Sequence, residues 1–276
     1  MTNKLDQLRD LLKSYGSCLV AYSGGVDSMF LASVAHQVLG QRSVAAIADT
    51  PSLPRRELEE AIALAKRFNI PLRIVRPQEF ANPEYTANSQ NRCYFCKHEL
   101  FAELVPLARQ ENLAVIVYGE NASDVGDFRP GAQAAIEFQI RAPLKETGIT
   151  KDEIRQFSAQ LGLPTAEKPQ MACLSSRIPY GEPVTPEKLQ MIEAGENALR
   201  DLGFYDVRVR HHELKIGHLA RIEVGPKEIG RFFEDGLHLR VAETLRQAGY
   251  LHVTLDLQGY RRGSVNEILQ QKNRMA

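Results

Sequence analysis

Residues 18–28 read CLVAYSGGVDS, an apolar run that passes directly into a glycine pair flanked by small polar residues. The run Cys18–Tyr22 has a β-branched centre and predicts a buried strand. Apolar residues then recur at helical spacing over Asp27–Leu39, ahead of Gly40, which predicts a helix. The segment Ser23–Ser28 is therefore predicted to link the carboxyl end of a buried strand to the N-terminus of a helix.

The same alternation of strands and helices continues on both sides of this loop. Further helices are predicted over Asn3–Tyr15, Pro54–Phe68, Cys96–Glu111 and Thr150–Leu161, and further strands over Val44–Ala48, Leu72–Val75, Ala114–Tyr118 and, at an edge, Ile140–Leu144. Strands that are apolar throughout and alternate with amphipathic helices predict an α/β fold, a doubly wound parallel sheet covered on both faces.

The pattern changes after Pro164, where a stretch rich in Pro, Ser and Gly predicts a loop. Beyond it, a helix is predicted over Pro186–Leu202 and strands over Asp206–Arg210, Ala220–Val224 and His252–Leu257. The first two strands alternate polar and apolar residues, which predicts a small α+β domain with one sheet face exposed. We therefore expect a domain over residues 1–165, an active-site loop over 166–185, and a C-terminal α+β domain over 186–276 that binds substrate or forms oligomers.

Charge and hydropathy limit the partners. The 34 Lys and Arg residues balance 34 Asp and Glu residues, which argues against a nucleic-acid partner. No run approaches the roughly 18 apolar residues of a membrane helix, and the polar N-terminal segment does not resemble a secretion signal. We therefore expect a cytoplasmic protein without a membrane partner. In that reducing compartment disulfides are not expected, and Cys18 is predicted to be a small buried hydrophobe.

The position of the Ser23–Ser28 loop predicts anion binding. Amides at a helix N-terminus point at an anion, and glycines allow the backbone to approach phosphate oxygens. The hydroxyl groups of Ser23 and Ser28 can donate hydrogen bonds, and Asp27 can hold Mg²⁺ or cap the helix. The loop lacks the lysine and the spacing of a Walker A motif. A glycine-rich turn that is capped but binds nothing is the alternative.

The sequence SGGVDS after a strand resembles the PP-loop of the N-type ATP pyrophosphatases. That superfamily includes GMP synthetase, NAD synthetase, asparagine synthetase and tRNA-thiolating enzymes. The resemblance implies that ATP is cleaved between its α and β phosphates and that AMP is left on the substrate. It also implies an ATP-binding loop that grips pyrophosphate, formed by Ser23, Gly24, Gly25, Val26, Asp27 and Ser28.

Four further segments extend the resemblance to nearly the whole chain. They are GENASD (119–124), DFRPG (127–131), ACLSSRIPYG (172–181) and TLDLQGYRRG (254–263). Together with the PP-loop they resemble the LarE family. The resemblance implies adenylylation of a carboxylate of a pyridinium dicarboxylate mononucleotide, release of pyrophosphate, and replacement of AMP by sulfur to give a thiocarboxylate. It also implies ATP, Mg²⁺, a nucleotide-like substrate, sulfide or another sulfur donor, and a homo-oligomer.

The cysteines distinguish this chain from LarE proteins that sacrifice one of their own cysteines, because that position falls on Ala172. Cys93, Cys96 and Cys173 instead resemble the pattern of relatives that hold a [4Fe-4S] cluster on three cysteines. The resemblance implies that these three are catalytic cluster ligands and that one iron stays open to hydrosulfide. We expect the pair, at a loop-to-helix junction, and the Cys173 loop to meet near the phosphate loop. A redox dithiol or half of a zinc site is the alternative for the pair.

Further candidates for the ATP site flank these motifs. Lys97 is expected to neutralise phosphate charge, and its alternative is an exposed lysine at a helix start. Asn121, within GENASD, is assigned to ATP binding by the resemblance. Asp124 is expected to bind Mg²⁺ together with Asp27, because carboxylates suit this hard ion, or else to cap a helix.

Candidate substrate-binding residues are mostly cationic. Arg177, beside Cys173, suits bidentate phosphate recognition. Arg208 and Arg210 lie on one side of a predicted strand and, with Glu223 nearby, can form an anion pocket, although a solvated face paired by salt bridges is the alternative. Asp127 and Arg129 lie in a motif too polar for a core, where ion pairs within the loop are the alternative.

Two other reactions remain open at this point. Thiolation of tRNA uses the same chemistry, and tRNA binding with a steep salt dependence would support it. Amide formation from ammonia, as in NAD synthetase, would leave the three cysteines without a role in the reaction.

Overall fold

The computed structural model describes residues 3–124, 130–169 and 172–261. The chain forms two compact units, Met1–Tyr85 with Gln90–Ala172, and Thr86–Ser89 with Cys173–Ala276. The α-helices are α1 (Lys4–Tyr15), α2 (Val26–Leu39), α3 (Arg55–Arg67), α4 (Pro83–Thr86), α5 (Arg92–Gln110), α6 (Pro130–Glu137), α7 (Pro143–Glu146), α8 (Lys151–Gln160), α9 (Pro186–Asp201) and α10 (Leu237–Gln247). The strands are β1 (Cys18–Ala21), β2 (Ser43–Ala48), β3 (Leu72–Val75), β4 (Val115–Tyr118), β5 (Val207–Leu214), β6 (Gly217–Val224) and β7 (His252–Leu255).

The first unit contains a parallel four-stranded sheet in the order β3-β2-β1-β4. Ala21, the last residue of the central strand β1, is in register with Ala46 of β2 and Tyr118 of β4. The carboxyl ends of these three strands therefore lie at one edge of the sheet, where ligands bind in open α/β folds.

Both faces of this sheet are covered, which confirms the predicted α/β class. Val20 contributes to a core that includes buried residues of α1, α2, α3 and α8. Its neighbour Leu19 points to the opposite face, where a second core includes buried residues of α5 and α6. Leu8 and Leu12 of α1 are fully buried, and each such leucine contributes about 1.5–3 kcal/mol by leaving water.

Several predicted boundaries differ from the structure. The expected edge strand over residues 140–144 is wrong, because the structure has only a single bridge between Val117 and Arg141. Pro143, which has no amide hydrogen for a strand ladder, instead opens α7. Helix α5 begins at Arg92 rather than Cys96, so Cys93 lies in its first turn, beside the preceding loop, and Cys96 lies about one turn further along. Thr150 and Glu153 form the capping box expected at the start of α8.

The second unit contains a three-stranded sheet in the order β5-β6-β7. Strands β5 and β6 form an antiparallel hairpin, and β7 pairs with β6 in parallel. Val209 and Ile222 lie in a core that includes Leu199 of α9 and Leu245 of α10. The expectation that the other sheet face is solvated is wrong for Arg208, Arg210 and Glu223, which are buried, whereas Arg221 on that face is partly exposed.

No helix within the described ranges is both long enough and apolar enough to span a lipid bilayer.

Candidate active site

The loop between β1 and α2 has a conformation that a glycine permits. Gly24 has φ +72°, and a Cβ placed on it would lie 2.5 Å from Cβ of Ala61 in α3. Ser28 Oγ accepts a hydrogen bond from the Ser23 amide at 3.1 Å and donates one to the carbonyl of Gly25 at 3.2 Å. Hydrogen bonds within the loop therefore fix its shape.

The start of α2 presents backbone amides at this loop. Gly25 occupies the N-cap position and, having no side chain, cannot cap these amides as Ser or Asp would. Gly119, just after β4, is packed against the same turn, because a Cβ there would lie 3.1 Å from the Ser28 amide nitrogen. The GENASD segment and the phosphate loop thus lie side by side at the carboxyl edge of the sheet.

Asp27, in the first turn of α2, is held by a lysine that the sequence analysis did not select. Lys151 Nζ lies 2.8 Å from Asp27 Oδ1 and 2.7 Å from Oδ2. Lys151 is the first residue of α8, and its amide donates to Ser123 Oγ at 3.0 Å. This arrangement brings a cation to the phosphate loop.

The GENASD segment folds into a short turn. Asn121 is 1% exposed, and its side-chain oxygen accepts the Ser123 amide at 2.9 Å. Asp124 Oδ2 accepts the Asn121 amide at 3.1 Å. Across the residues that the structure describes, no three or more His, Cys, Asp or Glu side chains are grouped so that they could hold a metal ion.

Lys97 packs against aromatic rings. Its Nζ lies 4.5 Å from the ring centroid of Tyr118 and 5.6 Å from that of Phe101, distances at which an ammonium is attracted to a ring face. The Tyr118 hydroxyl donates to Glu120, which also accepts Lys145 Nζ at 2.7 Å. Because Tyr118 is in register with the end of β1, Lys97 adds a second cation at the edge that carries the phosphate loop.

The cysteine pair lies in the first two turns of α5. Cys93 and Cys96 are three residues apart in the helix, and that spacing puts both on one face. Cys93 is exposed and Cys96 is partly exposed. Cys18, in contrast, is fully buried in β1, and burial raises the pKa of its thiol to about 11. The prediction that Cys18 is a core residue is confirmed.

Cys173 belongs to the second unit, where it precedes the 3-10 helix Leu174–Arg177. Its thiol is partly exposed. Its carbonyl oxygen accepts hydrogen bonds from Ser176 Oγ at 2.8 Å and from Arg177 Nη1 at 3.1 Å. The backbone that carries this thiol is therefore fixed by the loop's own side chains.

Arg177 forms a buried ion pair that the sequence analysis missed. Its Nε and Nη2 lie 2.7 and 3.0 Å from the two carboxylate oxygens of Glu196, and both side chains are fully buried. Arg200 also donates to Glu196, at 3.0 Å. Burial acts to raise the pKa of Glu196, but the charge and hydrogen bonds of Arg177, together with the charges of Arg200 and Arg208, outweigh it and the pKa is lowered. Glu196 therefore remains ionised and fixes Arg177 beneath the Cys173 loop.

The other predicted arginines gather on the buried face of the second sheet. Arg210 bonds to Glu223 at 2.8 Å and to the carbonyl of Ser176 at 3.0 Å. Arg208 lies 4.6 Å from the ring centroid of Tyr260, and burial, with the nearby Arg177 charge, lowers its pKa. The predicted residues Asp127 and Arg129 lie outside the described residues.

We expect Glu196→Ala to destabilise the second unit by about 3–5 kcal/mol, because it leaves the Arg177 guanidinium buried without its carboxylate. Urea unfolding of the variant and the parent protein at neutral pH measures the difference. Arg200→Ala is the matched control, since it removes a partly exposed partner of the same carboxylate and should cost roughly 1 kcal/mol or less. Equal losses of unfolding free energy in the two variants would contradict the assignment of Glu196 as the carboxylate that neutralises buried Arg177.

Sequence comparisons place the chain among known proteins. The NAD synthase family model matches residues 1–101. An uncharacterized protein of Synechocystis sp. is 47% identical over 269 residues, covering 98% of this chain and 99% of the relative. Pyridinium-3,5-bisthiocarboxylic acid mononucleotide synthase of Lactiplantibacillus plantarum is 33% identical over 261 residues, 94% of this chain and 92% of the relative. A glutamine-hydrolyzing GMP synthase chain of Archaeoglobus fulgidus is 25% identical over 225 residues, 74% of this chain and 71% of the relative.

The match to the mononucleotide synthase extends over both structural units, and the match to the NAD synthase model includes the strand–loop–helix that carries SGGVDS. The chain therefore belongs to the LarE family of PP-loop proteins.

Proposed function

We propose that the protein is an ATP-dependent sulfur transferase that adenylylates a carboxylate of a pyridinium-type mononucleotide, releases pyrophosphate, and replaces AMP with sulfur. The observation that carries the proposal is a phosphate loop shaped in advance, within a chain that aligns almost end to end with a thiocarboxylate-forming synthase. The substrate class comes from the name of that relative.

The first half-reaction uses the edge of the parallel sheet. A carboxylate oxygen of the substrate attacks the α-phosphorus of ATP, and the bond to the β,γ-pyrophosphate breaks. The amides at the start of α2, with the hydroxyl groups of Ser23 and Ser28, stabilise the charge that develops on the leaving pyrophosphate. Lys151 and Lys97 lie close enough to this edge of the sheet to supply further positive charge.

Mg²⁺ would be held by Asp27 and Asp124, together with the phosphates of ATP. This ion usually takes only one or two protein carboxylates in nucleotide sites, so a preformed cage of three protein ligands is not needed. Asp27 also forms an ion pair with Lys151, so the Lys151 ammonium would add positive charge beside the phosphates of ATP.

The second half-reaction needs a sulfur donor, and we assign its delivery to Cys93, Cys96 and Cys173. Three thiols of which none is fully buried suit iron–sulfur ligation in residue type and accessibility. A [4Fe-4S] cluster on them, when bound, would supply its own sulfide, or sulfide taken from another donor, to the acyl-adenylate. The thiols lie in both structural units, so this assignment requires the Cys173 loop to reach the α5 pair.

The acidic end of the substrate would bind to the second unit. Arg208 and Arg177 are buried cations of this unit, and Arg210 with Glu223 fixes the carbonyl of Ser176 beside them. Asp127 and Arg129 remain substrate-binding residues predicted from the sequence.

The adenylylation half is tested by exchange of labelled pyrophosphate into ATP. We expect exchange that depends on a pyridinium dicarboxylate mononucleotide, with AMP as the only other nucleotide formed. Production of ADP and phosphate, or pyrophosphate exchange that does not depend on the acceptor, would contradict the proposal.

An amide-forming ligase is the second candidate, because the NAD synthase model matches residues 1–101 and archaeal GMP synthase chains are similar over most of the protein. To distinguish the two reactions, ammonia is supplied to one sample and sulfide to a parallel sample after adenylylation, and consumption of the adenylate is compared. Consumption of the adenylate by ammonia alone would favour the ligase. Thiolation of tRNA remains a prediction from the sequence, which salt-dependent tRNA binding would support.

A further inference from the structure

Two histidine side chains lie together near the turn of the β5–β6 hairpin and have no part in the reaction as described so far. In the hairpin register His211 is opposite Ala220 and His218 is opposite Glu213. Opposed residues point to the same face of a sheet, and so do alternate residues of one strand. Both imidazoles therefore lie on the face that carries Val209 of the core. Their ring centroids are 4.7 Å apart.

Each of the two rings has a buried nitrogen without a hydrogen-bond partner among the described residues. These atoms are Nε2 of His211 and Nδ1 of His218. The His211 side chain is fully buried. Polar atoms inside a native fold are normally paired, because a donor or acceptor that is removed from water without a partner destabilises the fold. A ligand that binds both nitrogens at once would satisfy them together.

The other nitrogen of the His211 ring is held by a tyrosine. Nδ1 lies 3.2 Å from the hydroxyl of Tyr250, which is itself buried. The tautomer with its proton on Nδ1 donates to this hydroxyl and leaves a lone pair on Nε2. A hydrogen bond at the far nitrogen fixes the tautomer and the orientation of a histidine that binds a metal ion. Tyr250 thus gives His211 the support that such a ligand needs.

The spacing of the two rings suits a shared metal ion. Imidazole nitrogens bind Zn²⁺ at about 2.0–2.1 Å, so two imidazoles on one tetrahedral ion have ring centroids about 5 Å apart. The observed separation of 4.7 Å is close to this value. His218 is partly exposed, which gives an ion a path from solvent to the buried nitrogens.

A carboxylate beside the pair can supply a third ligand. Glu213 is exposed and lies directly opposite His218. Its Oε1 is 2.6 Å from Lys188 Nζ. Lys188 also donates to the carbonyl of Pro183 at 2.6 Å, so it would keep a partner if Glu213 turned to an ion. The site is therefore a histidine pair that recruits Glu213, which agrees with the lack of a ready group of three such ligands among the described residues.

We propose that His211 and His218, with Glu213, bind one divalent transition-metal ion of the Zn²⁺ type. Imidazole and carboxylate are suitable ligands for such an ion, and water fills the remaining positions. The ion has a structural role, because it ties the end of the β5–β6 hairpin to Tyr250, which follows α10. It is distinct from the Mg²⁺ of ATP and from a cluster on the three cysteines.

The test is calorimetric titration of the full-length protein with Zn²⁺ after N-ethylmaleimide has blocked the accessible thiols. We expect one ion to bind per chain and to raise the temperature of unfolding. Tyr250→Phe removes the hydrogen bond behind His211 and should weaken binding about tenfold. His218→Gln should weaken it about 100-fold, since a lost ligand costs more than a lost outer hydrogen bond. His252→Gln, at an exposed position of β7, is the matched control and should bind as the parent does.

Co²⁺ in place of Zn²⁺ identifies the ligand atoms. At the proposed site it should give visible absorption bands without the intense near-ultraviolet band of a thiolate ligand, and His218→Gln should remove them. Because His211 is fully buried, the test uses His218→Gln and Tyr250→Phe, whose folding is checked by urea unfolding without metal. Equal Zn²⁺ affinity in the parent and His218→Gln, or no binding by the thiol-blocked parent, would overturn the proposal. Equal weakening in His252→Gln would also overturn it, because it would indicate nonspecific binding to surface histidines.

Discussion

Replacing Gly24 with alanine is expected to weaken ATP binding by about 100-fold, or roughly 2.7 kcal/mol. The new Cβ would lie 2.5 Å from Cβ of Ala61, and the neighbouring backbone of α3 leaves it little room to move. The residue would also have to adopt φ near +72° with a side chain. The loop must open or turn, and its amides then no longer converge on one phosphate. Calorimetric titration with Mg-ATP measures the effect.

Gly16→Ala is the matched control for this change. Gly16 has φ +74°, but a Cβ there meets no atom within 4 Å. The control therefore also places a side chain at a positive φ, at a cost in stability of about 1–3 kcal/mol, without the collision. If both variants bound ATP as the parent does, the assignment of Ser23–Ser28 as the phosphate loop would be wrong.

Cys93→Ala is expected to abolish sulfur transfer while acceptor-dependent pyrophosphate exchange continues. The reason is that the thiols act only after the adenylate has formed. Cys173→Ala should give the same split between the two half-reactions. Single-turnover assays under anaerobic conditions, with thiocarboxylate and pyrophosphate measured in the same sample, reveal it.

Cys18→Ala is the control, because Cys18 is fully buried in β1, where its thiol donates to Ser43 Oγ at 3.7 Å. It should retain both half-reactions. Iron and acid-labile sulfide, measured on the same anaerobic preparations, should be present in the parent and in Cys18→Ala and be lost from Cys93→Ala. If the parent protein transfers sulfur without containing iron, the proposed cluster is wrong. The cysteines would then carry the sulfur themselves.

The fold of the first unit was predictable because its signals are local. The apolar run before Ser23 and the helical spacing after it place β1, the phosphate loop and α2 within a few residues of one another. Burial on both faces leaves β1, β2 and β4 almost wholly apolar, so a parallel sheet was predictable from the individual segments. The start of α5 was missed because Arg92 and Cys93 add nothing to the apolar periodicity, although both lie in its first turn.

The contacts that define the candidate site were not predictable in this way. Lys151 meets Asp27 across 124 residues of sequence, and no pattern in either segment indicates the other. Glu196 lies in the interior of an amphipathic helix, where a carboxylate is normally exposed, and only the fold shows that it neutralises Arg177. His211 and Tyr250, 39 residues apart, likewise meet only in the folded chain.

The central claim is that ATP-dependent activation ends in a carbon–sulfur bond, and mass spectrometry of the acceptor tests it most directly. The purified protein is incubated anaerobically with Mg-ATP, sulfide and a pyridinium dicarboxylate mononucleotide, with ammonia in a parallel sample. The account predicts a product in which one carboxylate oxygen is replaced by sulfur, formed together with equal amounts of AMP and pyrophosphate. An amide product formed only with ammonia, or an unchanged acceptor while ATP is consumed, would contradict it.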